Sequence, residues 1–333
     1  MEPGYIDLYH SGELKNRVDY LESRLKACDL CPRECGVNRL LGERGFCRTG
    51  ADAYVSQVCA HWGEEPAISG VNGSGTVFFG GCNLHCLYCQ NYQISQQSAR
   101  QSLEITDAAT LAKQLLTLQD ELSCHNINFV TPSHVVPQLV HAVYKAIPMG
   151  LRLPLVYNSS GYDSVTTIAA LDGIMDIYLP DLRYSSDKWA RKFSRALHYV
   201  AHSRAAIKEM YRQVGNLEID KDGIAKRGLI IRHLILPNRF AGSSDSLAWL
   251  ANTMSPDITV SIMAQYYPSY LAPKIVPLSR TINTTEYNEV FNLLEAYNIN
   301  NGWLQEMEAA LHYRPDFALP NQPFDATFKK PSS

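Results

Sequence analysis

Three cysteines, Cys82, Cys86 and Cys89, lie close together in the segment GGCNLHCLYCQNYQIS, which covers residues 80–95. Their spacing, Cx3Cx2C, places three thiol groups on one short loop. Thiolates are preferred ligands of zinc and of iron–sulfur clusters, so this spacing predicts a metal centre. A closed structural zinc site takes four protein ligands, however, and the loop offers three cysteines.

The missing fourth ligand leaves three interpretations of this loop. His85 could complete a tetrahedral zinc site, but it lies between two of the cysteines, where its side chain would have difficulty converging with them. The three cysteines could also be core residues without a metal. Alternatively, they hold a 4Fe-4S cluster in which one iron is left open, and an open iron can bind a cofactor or a substrate.

A second cysteine group precedes this loop in a segment rich in proline, glycine and arginine. Its spacing is Cx2Cx3Cx11C, and four thiolates at this spacing make a closed knuckle that holds either zinc or a second iron–sulfur cluster. Cysteines kept as reduced thiols for structural reasons are the alternative. The four residues are Cys28, Cys31, Cys35 and Cys47.

The cysteine usage as a whole indicates metal binding rather than disulfides. The chain of 333 residues contains nine cysteines, with none after Cys124. An odd number in two clusters argues against a complete disulfide framework and favours a reducing compartment. Cys59 and Cys124 lie outside both groups and are expected in the core.

The overall composition is that of a soluble protein, with 46% hydrophobic and 19% charged residues. A formal net charge of −3 favours neither a nucleic-acid partner nor a membrane surface. The N-terminal segment lacks the basic-then-apolar pattern of a signal peptide, and no apolar run approaches the ~20 residues of a membrane span. A cytoplasmic location is therefore expected.

From about residue 75 the chain alternates short apolar runs with helical periodicities. Such alternation predicts βα units and a parallel sheet, hence an α/β protein. Six units are too few for a full eight-fold barrel, so we expect a partial (β/α)6 TIM-like barrel whose chemistry lies at the carboxyl ends of its strands. The six predicted strands cover residues 76–81, 126–132, 153–161, 175–183, 228–238 and 257–268.

These patterns divide the chain into three parts: an N-terminal helix and cysteine knuckle (1–74), the barrel (75–312) and an extended tail (313–333). An insert at 185–227 predicts one or two helices and a small hairpin. Residues 183–212 contain eight Lys or Arg against two acidic residues. This basic stretch is either a solvated helical face or a docking surface for an acidic partner.

The central motif resembles that of the radical S-adenosylmethionine (SAM) enzymes. The resemblance rests on Cx3Cx2C, on Tyr88 before the last cysteine, and on a loop that leaves the first βα strand. It implies that Cys82, Cys86 and Cys89 hold a catalytic 4Fe-4S cluster whose open iron binds SAM. It also implies reductive cleavage of SAM to a 5′-deoxyadenosyl radical that abstracts hydrogen from a substrate, with Tyr88 beside the adenine.

The resemblance extends to polar residues at successive strand ends. The family commonly has Gly-Gly-Glu after the second strand, where this chain has TPSH (131–134). NSSG (158–161), DLR (181–183) and RHLILP (232–237) resemble segments of glycyl-radical activating enzymes, which implies that Asp181 faces the SAM ribose and Arg183 its carboxylate. The residues implied to bind SAM are Tyr88, Thr131, Ser133, Asn158, Ser159, Asp181, Arg183 and Arg232.

Residues 28–268 together resemble the PflX-type radical SAM proteins, which are similar to pyruvate formate-lyase activating enzymes. The resemblance implies an oxidoreductase or lyase that takes electrons from a flavodoxin or ferredoxin. Its substrate would be either a glycine in a glycyl radical enzyme or a small molecule or peptide. The competing hypothesis is a non-catalytic metal–cysteine scaffold or binding protein.

Overall fold

The computed structural model describes residues 2–96, 103–319 and 323–324. Ten strands form one mixed sheet, in the order β10-β9-β8-β6-β5-β4-β2-β1-β3, and β7 pairs with β8 beside this path. The strands are β1 (Ala53–His61), β2 (Ser74–Phe79), β3 (Glu104–Thr106), β4 (Ile127–Val130), β5 (Leu155–Ser159), β6 (Ile177–Pro180), β7 (Glu218–Ile219), β8 (Ala225–Leu234), β9 (Thr259–Met263) and β10 (Asn301–Leu304).

The six predicted strands are β2, β4, β5, β6, β8 and β9, and all neighbouring pairs among them are parallel. The predicted α/β class with a parallel sheet is therefore confirmed. Because the carboxyl ends of these strands lie at one edge, polar residues that follow them are brought together. The strand order is open, and its closure into a partial barrel stays a prediction.

Two strand regions of the sheet were not predicted. β1 pairs antiparallel with β2 and with the short β3, so it extends the sheet on one side. β10 pairs parallel with β9 and adds a seventh parallel strand on the other side. β1 lies before residue 75, in the segment assigned to the knuckle, and the predicted boundary at 74/75 stays a prediction.

Helices cover the sheet, and the main core lies between the two layers. Leu14, Val18 and Leu21 form a buried stripe on the helix Glu13–Ser23, which packs on the helix Val136–Ala146. The helices are α1 (Gly4–His10), α2 (Glu13–Ser23), α3 (Pro66–Ser69), α4 (Tyr92–Ser95), α5 (Ala108–Leu116), α6 (Val136–Ala146), α7 (Val165–Ala169), α8 (Asp187–Ser194), α9 (Tyr199–Val214), α10 (Ser243–Thr253), α11 (Thr284–Ala296) and α12 (Ala309–His312).

The insert at 185–227 has the predicted form of two helices and a hairpin. α8 and α9 come first, and β7 then pairs antiparallel with the start of β8, where Glu218 faces Arg227. Cys59 and Cys124 are buried, as expected for core residues. Among the helices described, none combines the length and the apolar character that crossing a membrane requires.

Candidate functional site

The cysteine loop leaves β2 through two glycines, of which Gly80 lies in a crowded position and Gly81 has a left-handed backbone conformation. A Cβ atom on Gly80 would lie 2.3 Å from Leu103 and 3.1 Å from Tyr54, and Gly81 has a φ of 87°. The Gly80 N–H donates to the Tyr54 carbonyl at 2.8 Å. The glycine pair therefore lets the chain turn sharply from a buried strand into the loop.

The end of α8 holds the other side of this loop. The backbone N–H groups of His85 and Leu87 donate to the carbonyls of Ser194 and Phe193, at 3.2 and 2.8 Å. These are the carbonyls of the last two residues of α8, which lack partners within the helix. The loop and the basic helix thus form one connected unit.

The three thiols of the loop line a single cavity of about 690 Å³. The Cys86 Sγ lies 3.4 Å from Nη1 of Arg183, the Cys82 Sγ accepts from the Leu84 N–H at 3.3 Å, and the Cys89 Sγ lies 3.3 Å from the Ser95 hydroxyl. A guanidinium and hydrogen-bond donors stabilise sulfur in its anionic, metal-binding form. Burial opposes this in the metal-free chain and raises the pKa of Cys82 to about 12 and that of Cys89 to about 11.

The donor set at this cavity is one that a 4Fe-4S cluster can use, because such a cluster binds each of three cysteines through a different iron. In the described part of the chain, no three His, Cys, Asp or Glu side chains are placed so that they could hold one metal ion, either here or at the N-terminal cysteines. His85, the other possible ligand in the loop, stacks its ring on Phe46 with 4.1 Å between centroids.

A network of ion pairs forms the polar side of the same cavity. The carboxylate of Asp181 accepts from Arg183 at 2.6 and 2.9 Å and from Nε of Arg232 at 2.9 Å. Nη2 of Arg232 also donates to the amide oxygen of Asn158 at 2.6 Å. Burial alone would raise the pKa of Asp181, but the charges of Arg232 and Arg183 hold it below its usual range.

The structure brings most, but not all, of the predicted SAM residues to this cavity. Ser159 instead donates to Asp163 at 2.6 Å, and neither Ser159 nor Ser133 is among the residues that line the cavity. Their predicted contact with a cofactor therefore has no support from their placement. The predicted residues that do line the cavity are Tyr88, Thr131, Asn158, Asp181, Arg183 and Arg232.

Tyr88 lies in the cavity wall and is 4% exposed. Its hydroxyl is 2.5 Å from that of Tyr184, which in turn is 2.7 Å from the Ser194 hydroxyl. Its ring contacts Tyr266 edge to face, with 5.7 Å between centroids. These contacts fix the ring in place, and burial raises the pKa of its hydroxyl well above the usual range. Its role beside an adenine stays a prediction.

The N-terminal cysteines Cys28, Cys31, Cys35 and Cys47 line a separate, much smaller cavity. The side chain of Arg39 is 1% exposed, its Nη1 lies 3.9 Å from the Cys28 Sγ, and its Nη2 has no hydrogen-bond partner among the described residues. Burial raises the pKa of Cys31 far above its ordinary value. A metal at this knuckle stays a prediction.

The knuckle contacts the cysteine loop directly. Nε of Arg33 donates to the carbonyl of Asn83 at 3.0 Å, and the Arg33 guanidinium lies 3.7 Å from the centroid of the Phe46 ring. The Asn83 amide donates to the carbonyl of Tyr162 at 2.6 Å. The two cysteine groups are therefore joined through Arg33, Phe46 and Asn83 rather than placed on independent segments.

Two carboxylates at this cavity were missed from the sequence. Glu64 and Glu65 follow β1 and precede α3, and both line the cavity. The segment AYVSQVCAH contains a tyrosine and two β-branched valines, a composition typical of a strand, and a strand predicted here would have placed both carboxylates just after its end. The strand was not predicted because this segment was assigned to the cysteine knuckle.

The C-terminal segment covers part of the cavity. Tyr313 and Phe324 are among its lining residues, and the ring of Phe324 stacks on His61 with 3.9 Å between centroids. Phe317 contacts Phe78 edge to face at 5.2 Å, and its backbone N–H donates to Gln93 at 2.8 Å. The described part of the tail is thus packed against the sheet next to the cysteine loop.

Comparison with known proteins gives relatives without an assigned activity. No family model matches the chain. It is 27% identical to an uncharacterized protein of Methanocaldococcus jannaschii over 304 residues, which cover 90% of this chain and 81% of that protein. A second uncharacterized protein of the same organism is 32% identical over 89 residues, covering 23% of this chain and 26% of that protein.

Among solved structures, the chain matches that of HydG, a maturase of the FeFe-hydrogenase. The TM-score is 0.43 and the sequence identity 9%, over 67% of this chain and 49% of HydG, so the chain spans about half the length of HydG. A similarity of this size assigns neither a fold family nor a function.

Proposed function

We propose that this protein is a radical SAM enzyme of the PflX type, built on a partial barrel, which cleaves SAM at a 4Fe-4S cluster held by Cys82, Cys86 and Cys89. The observation that carries the proposal is the single cavity that joins these three thiols to Asp181 and Arg183. When bound, the reduced cluster would supply the electron that breaks the C5′–S bond of SAM.

The residues of the chain have distinct tasks in this proposal. Arg183, which spans Asp181 and Cys86, places a fixed positive charge beside the cluster ligands and next to the position expected for the SAM carboxylate. Tyr88 and Tyr266 form a rigid aromatic wall suited to a planar base. The C-terminal segment covers part of the cavity, which limits the access of water to a reactive radical.

We infer that the substrate is a small molecule or a peptide side chain rather than the glycine of a large protein loop. Tyr313 and Phe324 of the tail line the cavity, and Phe317 packs beside it. A cavity covered in this way admits a compact group more readily than a folded partner. Activation of a glycyl radical enzyme is the second candidate, favoured by the resemblance of NSSG, DLR and RHLILP to segments of the activating enzymes.

An experiment on the intact chain tests the reaction. After anaerobic reconstitution with iron and sulfide, addition of dithionite and SAM should yield 5′-deoxyadenosine. Cys86→Ala should remove this activity and the visible absorbance of the cluster, because it deletes one of three ligands. Cys124→Ala, at a buried cysteine outside both groups, serves as the matched control and should retain both.

The competing hypothesis, a non-catalytic metal–cysteine scaffold, makes the opposite prediction. A fully loaded cluster without 5′-deoxyadenosine would refute the enzymatic proposal. Metal analysis of the same sample separates zinc from iron at Cys28, Cys31, Cys35 and Cys47, since a second 4Fe-4S cluster would bring total iron to about eight per chain rather than four.

A further inference from the structure

We infer that Glu64 and Glu65 form a cation-binding subsite at the end of the cavity formed by the β1–α3 loop, and that the substrate carries an ammonium or guanidinium group. The inference deepens the proposed function, since it assigns a substrate class to the same cavity. It rests on the positions, partners and burial of the two carboxylates, none of which entered the proposal above.

The burial of Glu65 is not explained by a hydrogen bond of its Oε2 atom to the described residues, although its charge interacts with that of Arg232. It occupies the N-cap position of α3, yet its side chain makes no capping hydrogen bond. The residue is 8% exposed, and its Oε2 has no hydrogen-bond partner among the described residues. An unpartnered carboxylate oxygen is costly to bury, so its place on a cavity wall indicates that a ligand supplies the missing donor.

Glu64, by contrast, is held in place by the sheet. Its Oε1 accepts from the side-chain amides of Asn128 at 3.1 Å and Asn158 at 3.4 Å, and its Oε2 lies 3.3 Å from Nη1 of Arg232. These contacts come from three different strands, β4, β5 and β8. Glu64 is thus a fixed neighbour that adds its charge to that of Glu65.

The local charge balance favours a cation. The charged side chains lining the cavity are the carboxylates Glu64, Glu65 and Asp181 and the guanidiniums Arg183 and Arg232. Both guanidiniums are already bonded to Asp181. Burial raises the pKa of Glu64 to about 7 against the charge of Arg232, and the charge of Glu65 acts in the same direction as burial. Arg232 also bonds to Glu64 and interacts with the charge of Glu65, so this one guanidinium is shared by three carboxylates.

The surrounding walls fit the rest of such a ligand. Trp62, Phe78 and Phe324 line the same cavity and offer aromatic surface to an apolar stem or, through their ring faces, to the cation itself. His61, stacked on Phe324, adds no charge at neutral pH because burial lowers its pKa to about 3. An alkylammonium or alkylguanidinium group matches both the carboxylates and these rings.

The test is binding of n-butylammonium to the full-length, metal-free chain, followed as the rise in unfolding temperature with ligand concentration. 1-Butanol and butyrate are the neutral and anionic counterparts. We expect n-butylammonium to bind at least tenfold more tightly than either. Glu65→Gln should weaken it by about 10- to 100-fold, the size of a lost charge-assisted hydrogen bond.

Glu289→Gln, which removes one exposed carboxylate paired with Arg239, is the matched control and should leave binding unchanged. Equal binding of 1-butanol, or unchanged binding by Glu65→Gln, would overturn the inference. Because Glu65 does not cap α3 through its side chain, the Gln variant is expected to fold, and its own unfolding temperature without ligand verifies this.

A second measurement tests whether Glu65 binds the substrate or SAM, which also carries an ammonium group. In the reconstituted enzyme, Glu65→Gln should weaken the binding of n-butylammonium much more than the binding of SAM. A loss of SAM affinity as large as that of n-butylammonium would assign the carboxylate to SAM and overturn the substrate class. If the wild-type chain binds n-butylammonium but forms no 5′-deoxyadenosine, the cation subsite stands and the proposed function fails.

Discussion

Asp181 is the residue on which the polar side of the cavity depends, since its two carboxylate oxygens receive both Arg183 and Arg232. Its side chain is 5% exposed, while those of the two arginines are 25% and 16% exposed. One buried anion therefore orients two cations that project toward different parts of the cavity, Arg183 toward Cys86 and Arg232 toward Asn158 and Glu64.

Replacing Asp181 with Asn should lower the free energy of unfolding of the metal-free chain by about 3–5 kcal/mol, because Arg183 would lose its carboxylate partner and Arg232 would keep only that of Glu64. Urea unfolding at pH 7 measures this. Asp172→Asn is the matched control: it removes the carboxylate of an exposed pair with Arg212 and should cost less than about 1 kcal/mol. Equal effects would show that the cavity network adds nothing to stability.

For single residues, the sequence predicted which residues belong to the site better than it predicted which atoms they contact. Asp181 and Arg183 were found because they follow a parallel strand, whose end must lie at the site edge. Ser133 follows β4 and Ser159 ends β5, yet successive side chains at a strand end point to opposite faces, and Ser159 is bonded to Asp163. Position along the chain alone does not fix that direction.

Among the elements, α8 connects the cysteine loop to the protein surface. Its last residues accept hydrogen bonds from His85 and Leu87, while Arg191 and Lys192 are exposed on the same helix. An acidic electron donor that docked on α8 would lie next to the loop that holds the proposed cluster. We therefore propose this helix as the docking surface for flavodoxin or ferredoxin.

Reversing both charges, Arg191→Glu with Lys192→Glu, should slow reduction of the cluster by flavodoxin about tenfold or more at low salt, through loss of electrostatic attraction. Reduction by dithionite should not change. Lys113→Glu with Lys221→Glu, two exposed lysines on other elements, is the charge-matched control. If dithionite reduction slows equally, the variant damages the cluster site and the docking proposal is wrong.

The strands that sequence patterns predicted are those whose side chains are mostly apolar on both faces of the sheet. β2, β4, β5, β6, β8 and β9 are buried central strands, whose near-continuous apolar sequences are distinctive. β10 was not predicted because NGWL is short, begins with Asn-Gly and contains two exposed and two partly buried residues. β1 was not predicted because it lies in a segment that was assigned from its cysteine spacing. Glu64 and Glu65, which follow β1, were therefore not predicted as site residues.

Across the whole molecule, Asp176 ties distant parts of the chain together. It is 7% exposed, and its Oδ2 accepts from the Leu155 N–H at 2.9 Å at the start of β5. Burial raises its pKa from 3.8 to about 6, although hydrogen bonds from the Leu155 and Gly4 backbones and the charge of Arg227 act in the opposite direction. The folded chain therefore binds this proton more tightly than the unfolded chain.

The consequence is a defined pH dependence of stability. The contribution of Asp176 is most favourable below pH 4 and is lost as the pH rises from about 4 to 6, by up to about 3 kcal/mol. Asp176→Asn should remove this slope in unfolding free energies measured between pH 4 and 7. Asp120→Asn, at an exposed carboxylate, controls for the change in net charge. An unchanged slope in Asp176→Asn would contradict the assignment.

The packing of the C-terminal segment has a consequence for biosynthesis. Phe317 and Phe324 lie against Phe78 and His61, yet they leave the ribosome after every strand of the sheet has been made. At synthesis rates of about 5–20 residues per second, the cysteine loop precedes them by roughly ten seconds or more. During that interval Phe317 and Phe324 cannot cover the face of the sheet next to the loop, which would leave the site of the proposed cluster accessible to iron and sulfide.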